Sequence, residues 1–332
     1  INLVVGLLSD DVEEKILVRA NAHDEFAYGD NVQVNGVLEK PESFSDEEDE
    51  RIFNYPRYLA KDNIYYVIQF ANVDVLSHGH GNAVKRWLFA AKSRYLESIE
   101  RVIPEPASAL AGGITVGAKR AMGEQLEEDF RKTGIIHIVV LSGYNIMIIS
   151  AFLLFLFSFF SLRVGAVLGA VLIVLFAIMT GGSATVVRAS AMGLLGLFAM
   201  QAGRTYVAVR ALAVVAFVML LINPNLLIAD VSFQLSFVAT LGLIYGMSIF
   251  ASRDVNANNQ FSLVDLNFRS MIIATISTQI AVLPLILYYM GDLSIVAVLV
   301  NILVLPVVPI AMLFTFLTGV VGIVSAFIAI PL

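Results

Sequence analysis

From residue 135 to residue 332 the chain carries only 6 Lys+Arg and 4 Asp+Glu. So long a stretch with so little charge cannot build a water-exposed surface. In hydrocarbon, every backbone amide and carbonyl must find its partner within the protein, which for apolar runs of this length means helices. A span needs about 20 apolar residues. Runs of that order lie at 135–162, 164–180, 186–200, 207–222, 231–250 and 270–290. The stretch 295–332 has room for two more, so about seven to eight spans are expected. A mean hydropathy of +0.82 over the 332 residues agrees with a polytopic membrane protein.

Residues 1–134 belong to a different solvent, with 15 Lys+Arg against 23 Asp+Glu (net −8). Over 1–82, short β-rich runs (INLVV, KILVRA, NVQVNGVL, IYYVIQFANVDVL) are separated by turn chemistry. Val32 and Val34 alternate with Gln33 and Asn35, the period-2 signature of a half-buried strand. Five small strands would suit a barrel of the oligonucleotide/oligosaccharide-binding (OB-like) type. However, 6 basic against 16 acidic residues in 1–82 repel a phosphate backbone. The acidic run Ser45–Glu50 reads as a solvated loop. His23, His78 and His80 are loop-like in context; His78-Gly79-His80, without a carboxylate or further His nearby in sequence, is a poor metal site, and without cysteine neither a thiolate metal site nor a disulfide framework can form.

Residues 83–103 form an amphipathic pattern. Val84, Leu88, Ala91, Tyr95, Ile99 and Val102 fall on one stripe, with Trp87 at its edge and Lys85, Arg86, Lys92, Glu97 and Glu100 opposite. Such a helix suits a membrane interface, and packing on the β-domain gives the same pattern. Gly112-Gly113 reads as a turn, followed by a polar linker helix at about 117–133. Three regions result: a β-domain (1–82), an interfacial and linker segment (83–134) and a membrane domain (135–332). The fold class is α+β. The first residue is Ile, and the chain stops inside an apolar run, as expected of a piece of a longer protein.

Polar side chains inside the apolar runs cost free energy unless they face protein or water. His137, Ser142, Gly143 and Asn145 cluster at the first membrane entrance. That run would be about 42 Å long as one straight helix, so a break near Ser142-Gly143 is expected. Two readings fit it: a packing kink, or a functional break of the kind that lines cavities. Pro306 and Pro309 interrupt the last run in the same way. Ser183, Thr185, Arg188, Asp230, Gln234, Thr278, Gln279 and Asn301 complete the polar set. Arg188 is the most informative, because an arginine at a helix centre costs about 2.5–3.5 kcal/mol. Either it snorkels to the interface or something compensates it, and Asp230 is the nearest acid to offer. His137 and Ser142 are five residues apart, which turns them away from each other on a helix, so a Ser/His nucleophile is not expected.

Arg163, Arg204 with Arg210, and Arg253 with Arg269 mark alternate connections, whereas 181–185, 223–230 and 291–294 hold no Lys or Arg. The positive-inside rule then places the arginine-bearing loops in the cytoplasm and the β-domain outside, although Arg131 and Lys132 argue the other way.

With these residues in view, the chain resembles the ComEC family of bacterial competence proteins. Thr133-Gly134 with His137, then Leu141-Ser142-Gly143, look like the family's Gly-x-x-His and Ser-Gly. SATVVRA (183–189), FQLSFVATLG (233–242) and NILVLPVVP (301–309) are similar to its later motifs, and PRYLAKDNI (56–64) to the end of its small barrel. Tyr144-Asn145 stands where the family usually has Leu-His, and Ala184 where Pro is common. The metallo-β-lactamase-like domain that such proteins often carry has no counterpart in these residues. The resemblance implies a multi-pass channel in the bacterial cytoplasmic membrane that moves single-stranded DNA during natural transformation. No enzymatic chemistry, cofactor or metal is expected of this piece. The implied partners are single-stranded DNA, the lipid bilayer, a DNA receptor and cytoplasmic motor proteins of the uptake machinery, and a second copy as a homodimer. His137, Ser142, Gly143, Asn145, Ser183, Arg188, Asp230, Gln234, Gln279 and Asn301 would line or shape the path. The acidic β-domain favours two rivals: a secondary transporter or exporter of a small or lipid-linked substrate, and a structural membrane scaffold.

Overall fold

The structure, a computed structural model, describes residues 2–7, 15–20, 26–46, 49–118, 124–139, 142–157, 159–250, 268–289, 291, 294 and 296–324. His23 and Arg253 lie outside them. The chain divides into two compact units. One comprises Ile1–Phe89 with Met219–Val231, and the other Ala90–Val218 with Ser232–Leu332.

The first unit is built on strands β1 (Asn2–Gly6), β2 (Lys15–Ala20), β3 (Asn31–Asn35), β4 (Leu38–Glu39), β5 (Phe44–Asp46) and β6 (Asp49–Phe53), helix α1 (Tyr55–Ala60), and strand β7 (Ile64–Ser77). The main sheet runs β1-β2-β7-β3, with β4 also on β7. β7 is its spine. The first half pairs parallel with β2 (Lys15↔Ile64 to Ala20↔Ala71), and the second half pairs antiparallel with β3 (Asn35↔Asn72 to Asn31↔Ser77). Between the halves, Phe70 adopts φ 52 at a register shift. A bulge of this kind bends a strand and increases its twist, so one 14-residue strand can serve two neighbours in a curled half-barrel. The core is the buried side of that curl: Val18, Ile68 and Ala71, with Leu17, Leu59, Ile64 and Val67 beneath α1.

The acidic run read as a loop is instead part of a hairpin, β5 paired with β6 (Phe44↔Phe53, Ser45↔Ile52). Phe44, Ile52 and Phe53 flank the acids and supply the strand-forming residues that the charge conceals. Asn54 caps α1 by accepting from Arg57 N, and Pro56 occupies the first turn, where no intrahelical N–H is needed.

Next come α2 (Ala83–Val102), α3 (Ala107–Val116), α4 (Glu124–Lys132), α5 (Ile136–Val139), α6 (Gly143–Leu156), α7 (Leu162–Met179), α8 (Ala184–Gln201), α9 (Ala208–Ile222), α10 (Leu226–Ala229), α11 (Val231–Phe250), α12 (Phe268–Tyr289), α13 (Ala297–Val304) and α14 (Val307–Val324). Gly112-Gly113 is not a turn but the middle of α3, whose residues from Ala111 to Val116 are all buried. A Cβ on Gly112 would stand 2.7 Å from Leu96 Cδ2, so the missing side chain serves close helix approach rather than chain reversal. The apolar stripe of α2 is largely covered by protein: Tyr95, Leu96 and Ile99 cluster with Ala111 and Val116 of α3. Tyr95 OH donates to Thr315 O (3.3 Å) and Ser98 Oγ to Gly319 O (2.8 Å) on α14. Trp87, in the first turns of α2, remains exposed.

Among the described residues, four helical stretches can cross a membrane by length and composition: Ile136–Leu153, Ala184–Gln201, Val231–Phe250 and Arg269–Tyr289. The α13–α14 pair, bent by 50°, makes a fifth if it is one span. α9, at 15 residues, reaches only about 22 Å, against roughly 30 Å of hydrocarbon. Several span-length helices make this a multi-pass membrane protein. The bend falls at Leu305-Pro306, while Pro309 sits in the first turn of α14, where it is tolerated. α6, α7 and α8 pack on one another around Ile146, Val186 and Phe176, and around Ala166, Ile173 and Leu197. Gly242 and Gly246 of α11 lie against Ser277 and Ala281 of α12, with no room for a side chain.

Candidate functional site

The expected break is present: α5 and α6 are separate helices, and Ser142 is the N-cap of α6 in extended backbone (φ −94, ψ 165). Its Oγ accepts from Asn145 N (3.3 Å) and donates to Asn145 Oδ1 (3.1 Å). Asn145 is fully buried. Its Nδ2 donates to Ile114 O (3.1 Å) and to Ile138 O (3.5 Å). These bonds attach the start of α6 both to the end of α3 and to α5, so one amide fastens three backbone segments. Asn145 is therefore a structural pin, with its polar atoms spent on the protein.

Arg188, on α8, is 8% exposed. Its Nε donates to Ser236 Oγ of α11 at 2.7 Å, and Nη1 reaches the thioether of Met192 at 3.6 Å. The guanidinium carbon lies 5.9 Å from the centre of the Phe237 ring, within range of a cation–π contact. Gly143, the first residue of α6, faces the same group: a Cβ there would stand 2.5 Å from Arg188 Nη2. Three helices thus meet at one cation. α8 supplies it, α11 supplies a hydroxyl and a ring, and α6 presents its amino end with a glycine against which the guanidinium packs. Among the described residues no carboxylate pairs with Arg188. The acid that sequence reasoning offered it, Asp230, makes a 3.2 Å ion pair with Lys61, the residue that follows α1, instead.

The other nominated residues are dispersed. His137, on α5, is exposed, and so is Ser183, which precedes α8 without a side-chain capping bond. Gln234 on α11 and Gln279 on α12 are half-buried. Asn301 on α13 is buried, and its Oδ1 has no partner among the described residues. Sequence reasoning missed Ser236, Met192 and Phe237 as members of the site. Met192 lies one helical turn after Arg188, a signal that was available. Ser236 and Phe237 lie inside FQLSFVATLG but could be assigned to Arg188 only by packing.

The family model described as "Competence protein" matches residues 114–332, about two thirds of the chain and all the helices around Arg188. The chain belongs to the competence protein family, as its resemblance to ComEC implied. It is also 23% identical over 284 residues to ComE operon protein 3 of Bacillus subtilis (strain 168), an alignment that covers 84% of this chain. It spans 34% of that relative's length. No solved structure matches it. Family membership points to a role in DNA uptake during transformation.

Proposed function

We propose that the protein forms the path by which a single DNA strand crosses the cytoplasmic membrane during transformation. The observation that carries this reading is the competence-family match over 114–332, the region holding the broken α5–α6 pair and Arg188. The physical argument is one of conduction. A polyanion must enter but not stick, which favours a path with hydroxyl and amide groups and few cations over a lysine-rich groove. Ser142, Gln234, Gln279 and Asn301 supply the former, and Arg188 is the cation. No step in this process calls for an enzymatic group.

The β-domain is assigned to the outer side. The loop 223–230, which carries no Lys or Arg, lies against α1: Asn223 Nδ2 donates to Lys61 O (2.7 Å), and Asp230 pairs with Lys61 Nζ. The positive-inside rule puts that loop outside, and α1 goes with it.

The test is uptake of end-labelled duplex DNA by transformable cells with the gene intact or deleted, scoring surface-bound and protected internal label separately. Retained binding with lost internalisation is expected. Unchanged internalisation in a strain with no second copy would overturn the reading and leave a small-solute transporter in its place.

A further inference from the structure

We infer that α2 and α3 form a re-entrant hairpin within the membrane, and that the outward face of α2, with Arg94, Glu97 and Arg101, lines a water-filled vestibule that reaches Glu105 at the hairpin's tip. That this vestibule belongs to the DNA path rests on the DNA-conducting reading; the vestibule itself rests on how α2 meets α14.

The contacts between those two helices advance together. Tyr95 bonds to Thr315 O, and its ring lies where Gly319 has no side chain. Ser98 bonds to Gly319 O and takes the place left at Gly322, where Val102 also arrives. From Tyr95 to Val102, α2 therefore runs beside α14 and in the same direction for about two turns. A helix lying flat in the membrane interface would cross a spanning helix once and then part from it. α3 returns the other way: Leu96 fills the place at Gly112, and Ile114 packs on Val308 and Met312 near the start of α14.

The sequence of α14 sets the depth of this contact. No charged residue occurs between Asp292 and Leu332, and α13 with α14 has the length and composition of a span. Leu313, Leu317 and Val320, exposed on the side of α14 turned away from Thr315, present an apolar surface to lipid. Thr315 to Gly322 lie about 12–22 Å along the helix from Val307, inside a hydrocarbon layer of roughly 30 Å.

The far face of α2 cannot share that solvent. Glu97 stands about 200° round the helix from Tyr95, with Arg94 and Arg101 beside it. The Glu97 and Arg101 side chains are 56% and 65% exposed, their charged atoms 3.7 Å apart. Arg94 is exposed too, as are Pro104, Glu105 and Pro106 in the turn. At membrane depth, ionised groups and non-helical backbone persist only where protein buries them or water bathes them. None of these residues is buried. A second copy is the other possible cover, but the core of a subunit interface is depleted of charge, whereas this face is charged along its length. Water is the occupant that remains. Two arginines and two glutamates leave the wall without net charge, so a polyanion passing it is neither held nor repelled.

The chain has no cysteine, so a single-cysteine variant carries one reactive thiol. Glu97→Cys, Arg101→Cys and Leu317→Cys are made in the full chain and reconstituted in phosphatidylcholine nanodiscs. Each is given two measurements: its rate of reaction with a charged methanethiosulfonate that does not enter lipid, and the quenching of an attached bimane by lipids carrying a nitroxide at headgroup or mid-acyl depth. Glu97→Cys and Arg101→Cys should react within about tenfold of free cysteine, and Leu317→Cys at least about 100-fold more slowly, because hydrocarbon suppresses the thiolate that reacts. The label at 317 should be quenched more strongly by the mid-acyl nitroxide than by the headgroup one. All three positions are exposed, and an unchanged helical spectrum and thermal midpoint verify that each variant folds. If Glu97→Cys and Arg101→Cys are as slow as Leu317→Cys, protein or a second copy covers the face and the proposal is overturned. Quenching at 317 mainly from the headgroup would place the hairpin outside the hydrocarbon and overturn it as well. Because accessibility is read without DNA, its failure is separate from a failure of DNA internalisation in cells.

Discussion

The Lys61–Asp230 pair offers a sharp test of how the first unit is held together. The charged atoms are 3.2 Å apart, and the side chains are only 12% and 6% exposed. At an effective dielectric of about 20, the attraction at that distance is on the order of 5 kcal/mol, most of it offset by the cost of removing both ions from water. The pair as a whole therefore contributes little, whereas half of it is a liability. Lys61→Met removes the ammonium, which lies 4.2 Å from the centre of the Tyr58 ring, and so takes its cation from the Asp230 carboxylate. It should destabilise the unit by about 3–5 kcal/mol, as should Asp230→Ala. The double replacement Lys61→Met/Asp230→Leu should lie within about 1 kcal/mol of wild type. Trp87, the only tryptophan, falls in this unit, so its fluorescence through a urea titration in micelles reports the unfolding. Single variants within about 0.5 kcal/mol of wild type, or a double variant whose cost is the sum of the singles, would refute the reasoning.

Three further outcomes are expected. Burial works against the charge of Asp30, but the Ala27 amide and the His78 ring outweigh it and hold the carboxyl below its ordinary value of 3.8. Its contribution is therefore complete above about that pH and lost as pH falls through the lower folded-state value, and Asp30→Asn should flatten the acid limb of a midpoint-versus-pH curve. Gly246→Ala pushes a methyl into Ser277 at the α11–α12 contact and should cost about 1–3 kcal/mol, read by thermal unfolding in micelles. Asn145→Leu abandons the carbonyls of Ile114 and Ile138 at about 1–3 kcal/mol each. It should also raise hydrogen exchange at the start of α6.

The sequence was most readable where one solvent dominates. Alternation in NVQVN and the apolar run of KILVRA mark β3 and β2 because one or both faces are buried, and the long apolar runs mark the helices because lipid allows little else. It misled where a residue type has two uses. Gly112-Gly113 carries the composition of a turn, yet at a buried helix contact the same missing side chains let Leu96 approach. The acids of 45–50 concealed a hairpin whose pairing lies in the residues around them. Arg188 was legible as a cation needing company, because burial of charge is costly wherever it occurs. Its company was not, since Ser236 lies 48 positions away and is chosen by helix packing. Lys61 reaches Asp230 across 169 positions, beyond any local pattern.

The union of α2 and α3 with α14 has a consequence in time. Tyr95 and Ser98 bond to carbonyls 220 and 221 residues further on. At roughly 5–20 residues per second, a ribosome needs on the order of 10–40 s to supply those partners. α3, at ten residues, is too short to cross the bilayer by itself, so for that interval its apolar surface depends on lipid or on the insertion machinery. α2 and α3 thus wait for neighbours made 220 and 221 residues later, and a chain released before α14 emerges leaves them permanently uncovered.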